Sequence, residues 1–192
     1  MTRFFWVRHG PTHAKAMVGW TDLAADLSDT AAIARLSAHL PARAVLLSSD
    51  LVRATATADA IAQTRLRLPP DPGLREIHFG AWEMRPFAEI EAETPDHIRA
   101  YWETPGDIRP PGGESWHDLQ SRIDPAIDRL LKSHPNHDII LVAHFGAILA
   151  ALQRAEGLTT EQAFAHRIDN LSVTELSHDG RRWQTHAINH LA

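Results

Sequence analysis

Residues 4–11 read Phe-Phe-Trp-Val-Arg-His-Gly-Pro, and this stretch decides the predicted fold. Four successive apolar residues that end at a polar pair are typical of a short strand buried on both faces. Strands of this kind belong to parallel sheets that carry helices on both sides. The first strand therefore brings Arg8 and His9 to its carboxyl end.

Two more apolar runs repeat this arrangement. Residues 44–47 lead into Ser-Ser-Asp at 48–50, with Arg53 one turn later, and residues 139–143 lead into His144. Ligands of open parallel sheets bind beyond the carboxyl ends of the strands. The side chains expected to meet there are Arg8, His9, Arg53 and His144.

Helical patterns alternate with these strands. Ser28-Asp29 is expected to cap a helix that ends before Pro41, and Glu114-Ser115 to cap a long helix that runs to about Lys132. Asp179-Gly180 is expected to form a hairpin turn. Further helices are predicted over 51–64 and 146–156, and the hairpin strands over 171–176 and 182–188. The predicted fold is α/β: a three-layer sandwich with a mostly parallel central sheet and helices on both faces.

Prolines, glycines and tryptophans are concentrated between residues 69 and 113. Only short helices are predicted there, around 86–93 and 96–102. Segments of this kind run over a sheet edge and build pockets. We therefore expect a single domain over residues 1–192, with residues 69–113 as an excursion over the active site.

Composition restricts the function. The chain has 192 residues, a formal net charge of −5 and no cysteine. The acidic balance argues against general nucleic-acid binding, and the lack of cysteine excludes disulfides, thiolate zinc sites and thiol nucleophiles. The longest apolar stretch, residues 139–152, is shorter than the ~20 residues that span a bilayer, and the amino terminus has no signal-peptide pattern. We expect a cytoplasmic protein that binds neither nucleic acid nor membrane, and its oligomeric state stays open.

An arginine beside a histidine in a glycine-containing loop suits an oxyanion, above all phosphate. Gly10 removes a side chain where the backbone must approach the ligand, and Thr12 can donate its hydroxyl proton. Arg53 adds a second planar group of donors near a helix amino terminus. His144 can place a further donor opposite His9. These residues predict a phosphate site.

Six motifs, in one order, make the chain similar to a known family. They are Arg-His-Gly-x-Thr at 8–12, Gly19-x-x-Asp22, residues 48–58 (Ser-Ser-Asp-Leu-x-Arg-Ala-x-x-Thr-Ala), residues 74–83 (Leu-Arg-Glu-Ile-His-Phe-Gly-x-Trp-Glu), Pro-Gly-Gly-Glu-Ser at 111–115 followed by Arg122, and Val-Ala-His at 142–144. They cover almost the whole chain and resemble the histidine phosphatase superfamily, the phosphoglycerate-mutase-like proteins. The resemblance implies a phosphoglycerate-mutase-like α/β fold.

The resemblance also implies roles for five residues. His9 is the nucleophile that accepts the phosphoryl group, Arg8, Arg53 and His144 hold its oxygens, and Glu76 protonates the leaving group. A neutral imidazole can attack when its other ring nitrogen donates to a fixed acceptor. Because arginines and a histidine supply the stabilising groups, we expect neither a metal nor a cofactor.

Some positions leave alternatives open. Met84 and Phe145 stand where the family usually has glycine. Glu83, and after it His78, are alternative proton donors. Six aromatic residues either line a pocket for a bulky organic phosphate or belong to the core. They are Trp20, Phe79, Trp82, Trp102, Trp116 and Phe145.

Together these features predict a metal-free phosphomonoesterase that acts on a small phosphorylated metabolite through a phosphohistidine. A cofactor-dependent phosphoglycerate mutase is the first alternative, although the excursion has no dense cluster of basic residues for a small polyanion. A phospho-ligand binding module without activity is the second, although it would not need Glu76 and both histidines. Histidine pairs such as His9/His13 could bind a metal, but no His-Glu-x-x-His pattern supports a metallohydrolase.

Overall fold

The computed structural model describes residues 1–192 and contains one six-stranded sheet with helices on both faces. The strands are β1 (Thr2–Arg8), β2 (Val45–Ser48), β3 (Leu66–Arg67), β4 (Asp138–Ala143), β5 (Val173–His178) and β6 (Trp183–His190). The helices are α1 (Thr30–His39), α2 (Val52–Ile61), α3 (Phe87–Glu93), α4 (Pro95–Glu103), α5 (Trp116–Ser133), α6 (Phe145–Glu156) and α7 (Thr160–Phe164). Two single-turn 3₁₀ helices lie at Pro72–Leu74 and Gly80–Trp82. The α/β fold class is confirmed.

The sheet has the strand order β3-β2-β4-β1-β5-β6. The first four strands are parallel, β5 runs antiparallel to β1, and β6 runs antiparallel to β5, which confirms the predicted hairpin. Arg8 is paired with Ala143, and Ser48 is paired with Val142. The three strands that carry the candidate residues are therefore adjacent, and their carboxyl ends lie level with each other.

Alternate residues of β1 enter two separate cores. Phe4 and Trp6 pack in the larger core with α5 and α6, whereas Phe5 and Val7 pack in the smaller one with α1 and α2. All four side chains are buried. Burial on both faces explains why the strand reads as a continuous apolar run.

Predicted helix caps are present at α1 and α5, with one correction. The Asp29 carboxylate accepts from the Ala32 N–H, and Ser115 forms a reciprocal capping box with Asp118. The prediction that Glu114 also caps α5 is wrong. Its carboxylate binds the Arg122 guanidinium (2.8 Å) and accepts from the His78 N–H (2.9 Å). Glu114 therefore ties α5 to the excursion.

Other differences from prediction concern short pieces. Helix α2 ends at Ile61, earlier than the predicted residue 64, and Gln63 adopts a left-handed backbone with φ +45°. The two-residue strand β3 and the five-residue helix α7 were not predicted, because neither is long enough to show a hydrophobic period. None of the helices combines the length and apolarity that crossing a bilayer requires.

Candidate active site

The carboxyl ends of β1, β2 and β4 bring the predicted residues together. His9 follows β1 directly and its N–H donates to the Ala143 carbonyl of β4 (3.1 Å). The His9 and His144 ring centroids are 5.0 Å apart. Arg53 lies in the first turn of α2 and, like both histidines, is buried. Adjacent parallel strands thus gather groups that are far apart in sequence.

His9 is held in one protonation state. Its Nδ1 lies 2.7 Å from the Gly10 carbonyl oxygen, which can only accept a hydrogen bond, so Nδ1 carries the proton. Burial, reinforced by Arg53 and Arg8, lowers the pKa of His9 to about 3. The ring is therefore neutral at physiological pH and Nε2 keeps its lone pair. This is the state that a nucleophilic histidine requires.

His144 is completely buried beside His9. Its Nε2 lies 2.6 Å from the Ser49 hydroxyl oxygen, whereas its Nδ1 has no hydrogen-bond partner in the protein. Burial, with the neighbouring His9 and arginines, holds the pKa of His144 well below its usual range. His144 is thus a neutral ring with one nitrogen left for a ligand.

The two arginines are anchored but not saturated. Arg53 donates to the backbone carbonyls of Thr21 (2.9 Å) and Gly19 (2.5 Å), which fixes the plane of its guanidinium. Arg8 donates through Nη1 to the Ile168 carbonyl (2.6 Å), and its buried Nε has no partner. Burial lowers the pKa of both guanidinium groups, and the nearby Glu76 opposes that shift. Two fixed cations with free N–H groups suit a phosphoryl group.

Glu76 lies against the amino terminus of α6. Its carboxylate accepts from the Gly146 N–H (3.0 Å) and from the Ile77 N–H (2.9 Å). Burial raises the pKa of Glu76, and it outweighs the opposing effect of these hydrogen bonds and of both site arginines. A β-carbon at Gly146 would lie 2.5 Å from Oε1 of Glu76, so this position requires glycine. The arrangement favours a carboxyl group that can carry a proton.

Glu83, the alternative proton donor, has a different environment. Burial alone would raise its pKa, but hydrogen bonds from Thr21, Trp20, Gly19 and Phe79 outweigh burial and lower it. Its carboxylate accepts from four backbone N–H groups and from the Thr21 hydroxyl. Glu83 thus clamps the same loop whose carbonyls hold Arg53. A carboxylate with this many donors is stabilised in its ionised form.

The remaining predicted positions have structural contacts. Gly10 donates its N–H to the Thr57 hydroxyl (3.0 Å), and a β-carbon there would lie 2.6 Å from Leu27, so its glycine is explained by packing. Thr12 is partly exposed in the following loop. The His78 ring packs against Trp20 at a tilt of 50°, with centroids 4.6 Å apart.

Three further residues support the site and were not singled out for these roles. Ser49 contacts His144, Gly146 binds Glu76, and Arg122 donates to the Glu76 backbone carbonyl (2.6 Å). The Ser-Ser-Asp run at 48–50 is the pattern of a cap for α2, but α2 has no side-chain cap, and the sequence around Ser49 holds no sign of a partner 95 residues away. Arg122 belongs to a motif that was recognised, but its contact depends on the path of the excursion.

A cavity of about 30 Å³ adjoins Glu76. Four of the six predicted aromatic residues line it, namely Phe79, Trp102, Trp116 and Phe145. Trp20 instead packs against His78, and Trp82 packs edge-on against Tyr101. No lysine or arginine lines the cavity, and the buried Trp102 indole N–H has no partner in the protein. The wall beside Glu76 is thus apolar with one available donor.

The sequence matches the family profile of the histidine phosphatase superfamily (branch 1) over residues 4–191. Three similar curated proteins of mycobacteria, including the bifunctional protein Rv2228c of Mycobacterium tuberculosis, are 29% identical over 93% of this chain. The chain spans about half the length (51%) of these relatives.

Other relatives are matched over most of their length. A glucosyl-3-phosphoglycerate phosphatase of Mycobacterium tuberculosis is 34% identical, with 80% of this chain and 74% of that protein covered. A probable phosphoglycerate mutase of Yersinia enterocolitica is 29% identical, with 95% and 88% covered. The solved structure of Bacillus stearothermophilus YhfR superimposes with a TM-score of 0.91 at 25% identity, over 100% of this chain and 98% of that one.

Proposed function

The chain belongs to the histidine phosphatase superfamily (branch 1), and we propose that it is a phosphomonoesterase that passes a phosphoryl group from a small organic phosphate to His9 and then to water. One observation carries this proposal. His9 is neutral with a free Nε2 lone pair, and two residues beside it, Arg8 and His144, each have a buried nitrogen with no partner in the protein, Arg8 Nε and His144 Nδ1. A neutral nucleophile among unpaired donors is the arrangement that attack on a phosphate requires.

The first half-reaction uses His9 and Glu76. His9 Nε2 forms a bond to phosphorus as the bond from phosphorus to the leaving oxygen breaks. Glu76 gives its proton to that oxygen, so the product leaves as a neutral alcohol. Arg8, Arg53 and His144 donate hydrogen bonds to the three transferring oxygens, where charge must be stabilised.

The second half-reaction regenerates the enzyme. Water attacks the phosphorus of phosphohistidine while the Glu76 carboxylate takes one of its protons. The bond between phosphorus and His9 breaks, and inorganic phosphate leaves with the electron pair returned to Nε2. Glu76 ends protonated and His9 neutral, which are their starting states.

The cavity beside Glu76 supports a phosphatase over a phosphoglycerate mutase. The group that Glu76 protonates is the leaving group, so the surroundings of Glu76 are those of the alcohol part of the substrate. A carboxylate in that position would be desolvated against aromatic rings with no basic partner. The apolar lining favours an uncharged part of an alcohol over a carboxylate, and a volume of about 30 Å³ admits only a small group.

A panel of phosphomonoesters, assayed with excess EDTA, tests this function. We expect turnover without metal, and phosphate on His9 after a quench that avoids acid, detected by mass spectrometry. His9→Asn should abolish both signals, and the exposed His13→Asn, four residues later, should leave both unchanged.

Other outcomes identify the alternatives. Binding of vanadate without turnover of any ester would indicate a binding module, and loss of activity with EDTA would indicate a metallohydrolase. Rapid interconversion of 2- and 3-phosphoglycerate with a bisphosphoglycerate primer would indicate a mutase.

A further inference from the structure

The ends of β2 and β4 form a buried pair of side chains. Ser49 and His144 are each completely buried, and the Ser49 oxygen lies 2.6 Å from Nε2 of the ring. The Ser49 N–H donates to the Val142 carbonyl (3.1 Å), so the backbone of β4 fixes its position. The pair therefore has one defined geometry.

The protons of this pair can be placed by counting donors and acceptors. A neutral imidazole has one N–H, and the Ser49 hydroxyl has one proton and no other hydrogen-bond partner in the protein. Without a ligand, either arrangement leaves one buried donor unpaired: the Nδ1 N–H when Ser49 donates to Nε2, or the Ser49 hydroxyl when Nε2 donates to Ser49. A phosphoryl oxygen beside Nδ1 decides between them, because it accepts from an Nδ1 N–H and then no donor of the pair is unpaired. The favoured arrangement has Ser49 donating to Nε2 and the ring proton on Nδ1.

The position of the ring proton matters for a phosphate ligand. The oxygens of a phosphate dianion only accept hydrogen bonds. The Nδ1 of His144 is the ring nitrogen without a partner in the protein. Only a protonated Nδ1 can donate to a phosphoryl oxygen, whereas an unprotonated Nδ1 would present a lone pair to it and repel it.

We propose that Ser49 is a positioning residue for His144: its hydroxyl donates to Nε2, fixes the ring beside His9 and keeps the proton on Nδ1, so that His144 meets the phosphoryl group as a neutral donor. This inference rests on the proposed phosphatase function. Among the four side chains proposed to contact the phosphoryl group, the positive charge then comes from Arg8 and Arg53. The low pKa of His144, caused mainly by burial, agrees with a neutral ring.

Ser48 provides a matched control. It is the preceding residue of the same chain segment and is also completely buried. Its hydroxyl oxygen accepts from the Arg67 guanidinium (2.6 Å) and not from either site histidine. Ser48→Ala therefore removes a buried hydroxyl, as Ser49→Ala does, but leaves the hydrogen bond to His144 in place.

The first experiment needs no variant. Nitrogen-15 spectra of histidine-labelled protein with vanadate bound should show His144 as a neutral ring with its proton on Nδ1. Assignment comes from the signal that His144→Gln removes. A ring proton on Nε2, or an imidazolium at neutral pH, would overturn the proposal.

The second experiment compares Ser49→Ala, Ser49→Thr and Ser48→Ala. We expect Ser49→Ala to lower kcat/KM by about 10–100-fold, as for other residues that orient a reacting histidine, and to mix the two His144 tautomers. Ser49→Thr keeps the hydroxyl and should restore the single tautomer and most of the activity. Ser48→Ala should stay within about threefold of wild type and retain one tautomer, because it leaves the Ser49 hydrogen bond in place.

The outcomes separate this inference from the function on which it rests. Wild-type activity in a folded Ser49→Ala protein with one unchanged tautomer would refute the role of Ser49 alone. Full turnover by His9→Asn would refute the phosphohistidine mechanism, whatever Ser49 does. If Ser49→Ala does not fold, the spectra of the wild-type protein still decide the proton position.

Discussion

Two arginines, one at each end of the parallel strands, have opposite hydrogen-bond environments. Arg65, beside the amino ends of the strands, donates all five of its N–H groups to protein oxygens: the carbonyls of Ser37, Leu40, Pro41 and Ile61 and the Ser37 hydroxyl. Arg8, at the carboxyl ends, makes one such bond, and its buried Nε has no partner.

The difference shows that burial of a charge does not by itself mark a functional site. Arg65 joins the carboxyl ends of α1 and α2, where unpaired carbonyls need donors, so it is a structural residue. The buried Nε of Arg8 has no partner in the protein, which costs folding free energy unless a ligand accepts its hydrogen bond. Incomplete hydrogen bonding therefore distinguishes the candidate site from a buried structural cluster.

The largest expected effect tests whether the number of hydrogen-bond donors also distinguishes two carboxylates, Glu76 and Glu83. We expect Glu76→Gln to slow hydrolysis of alkyl phosphates by about 10²–10⁴, the range of general acid catalysis, and to slow aryl phosphates far less, because a nitrophenolate leaves without a proton. Steady-state kinetics on both substrate types measure this selectivity. Glu83→Gln should instead lower stability, because it breaks the five-donor cluster. A selective loss in Glu83→Gln would transfer the acid role to Glu83.

Substitutions of the arginines at the two ends of the strands should affect different properties: activity at the carboxyl ends and stability at the amino ends. Arg8→Lys and Arg53→Lys should each cost about 2–4 kcal/mol of transition-state stabilisation, since an ammonium cannot reproduce two parallel donors. Arg65→Lys should keep kcat/KM but lower the unfolding free energy by about 2–4 kcal/mol, because buried carbonyls lose their donors. Denaturant unfolding and kinetics on the three variants decide this. Equal losses of activity in all three variants would contradict the distinction between the site arginines Arg8 and Arg53 and the structural Arg65.

A smaller effect is expected from pH. The pKa of His9 is about 3 in the folded protein, whereas a histidine of the unfolded chain titrates near pH 6.5. Between these values the unfolded chain binds more protons, so stability should fall as pH falls from 6.5, by up to about 1.4 kcal/mol per pH unit for each such histidine. Unfolding at pH 7, 6 and 5 should show this slope. His9→Asn should reduce it, whereas Arg65→Lys should leave it unchanged.

The smallest expected effect is that of a substitution at Met84, which follows Glu83 in the chain. This exposed residue, which stands where the family usually has glycine, has a left-handed backbone with φ +60°. Met84→Gly should raise the unfolding free energy by about 1 kcal/mol or less, because glycine relieves that strain but loses more entropy on folding. Thermal unfolding measures the gain, and Met84→Ala should show none. An unchanged kcat/KM would show that this strain does not serve the site.

Several structural features could be predicted from local patterns. The strands at residues 4–7 and 139–143 were recognisable because residues buried on both faces leave an unbroken apolar run. The cap at Ser115 was recognisable because the capping interaction is made within one turn. The end of α2 and the short strand β3 were not, because a helix end set by Gln63 and a two-residue pairing leave no period to detect.

The sequence by itself determined which chemical groups stand at the strand ends: an arginine and a histidine after β1, a serine pair after β2 and a histidine after β4. Only the tertiary structure decided their states, among them which ring nitrogen of His144 is free and which carboxylate, Glu76 or Glu83, is short of donors. The physical reason is that these states depend on hydrogen-bond partners far away in the chain. Ser49 meets His144 across 95 residues, and Glu76 meets Gly146 across 70. Local patterns specify the backbone of the strands that end at the site, but protonation and hydrogen bonding are set by neighbours that only folding brings into contact.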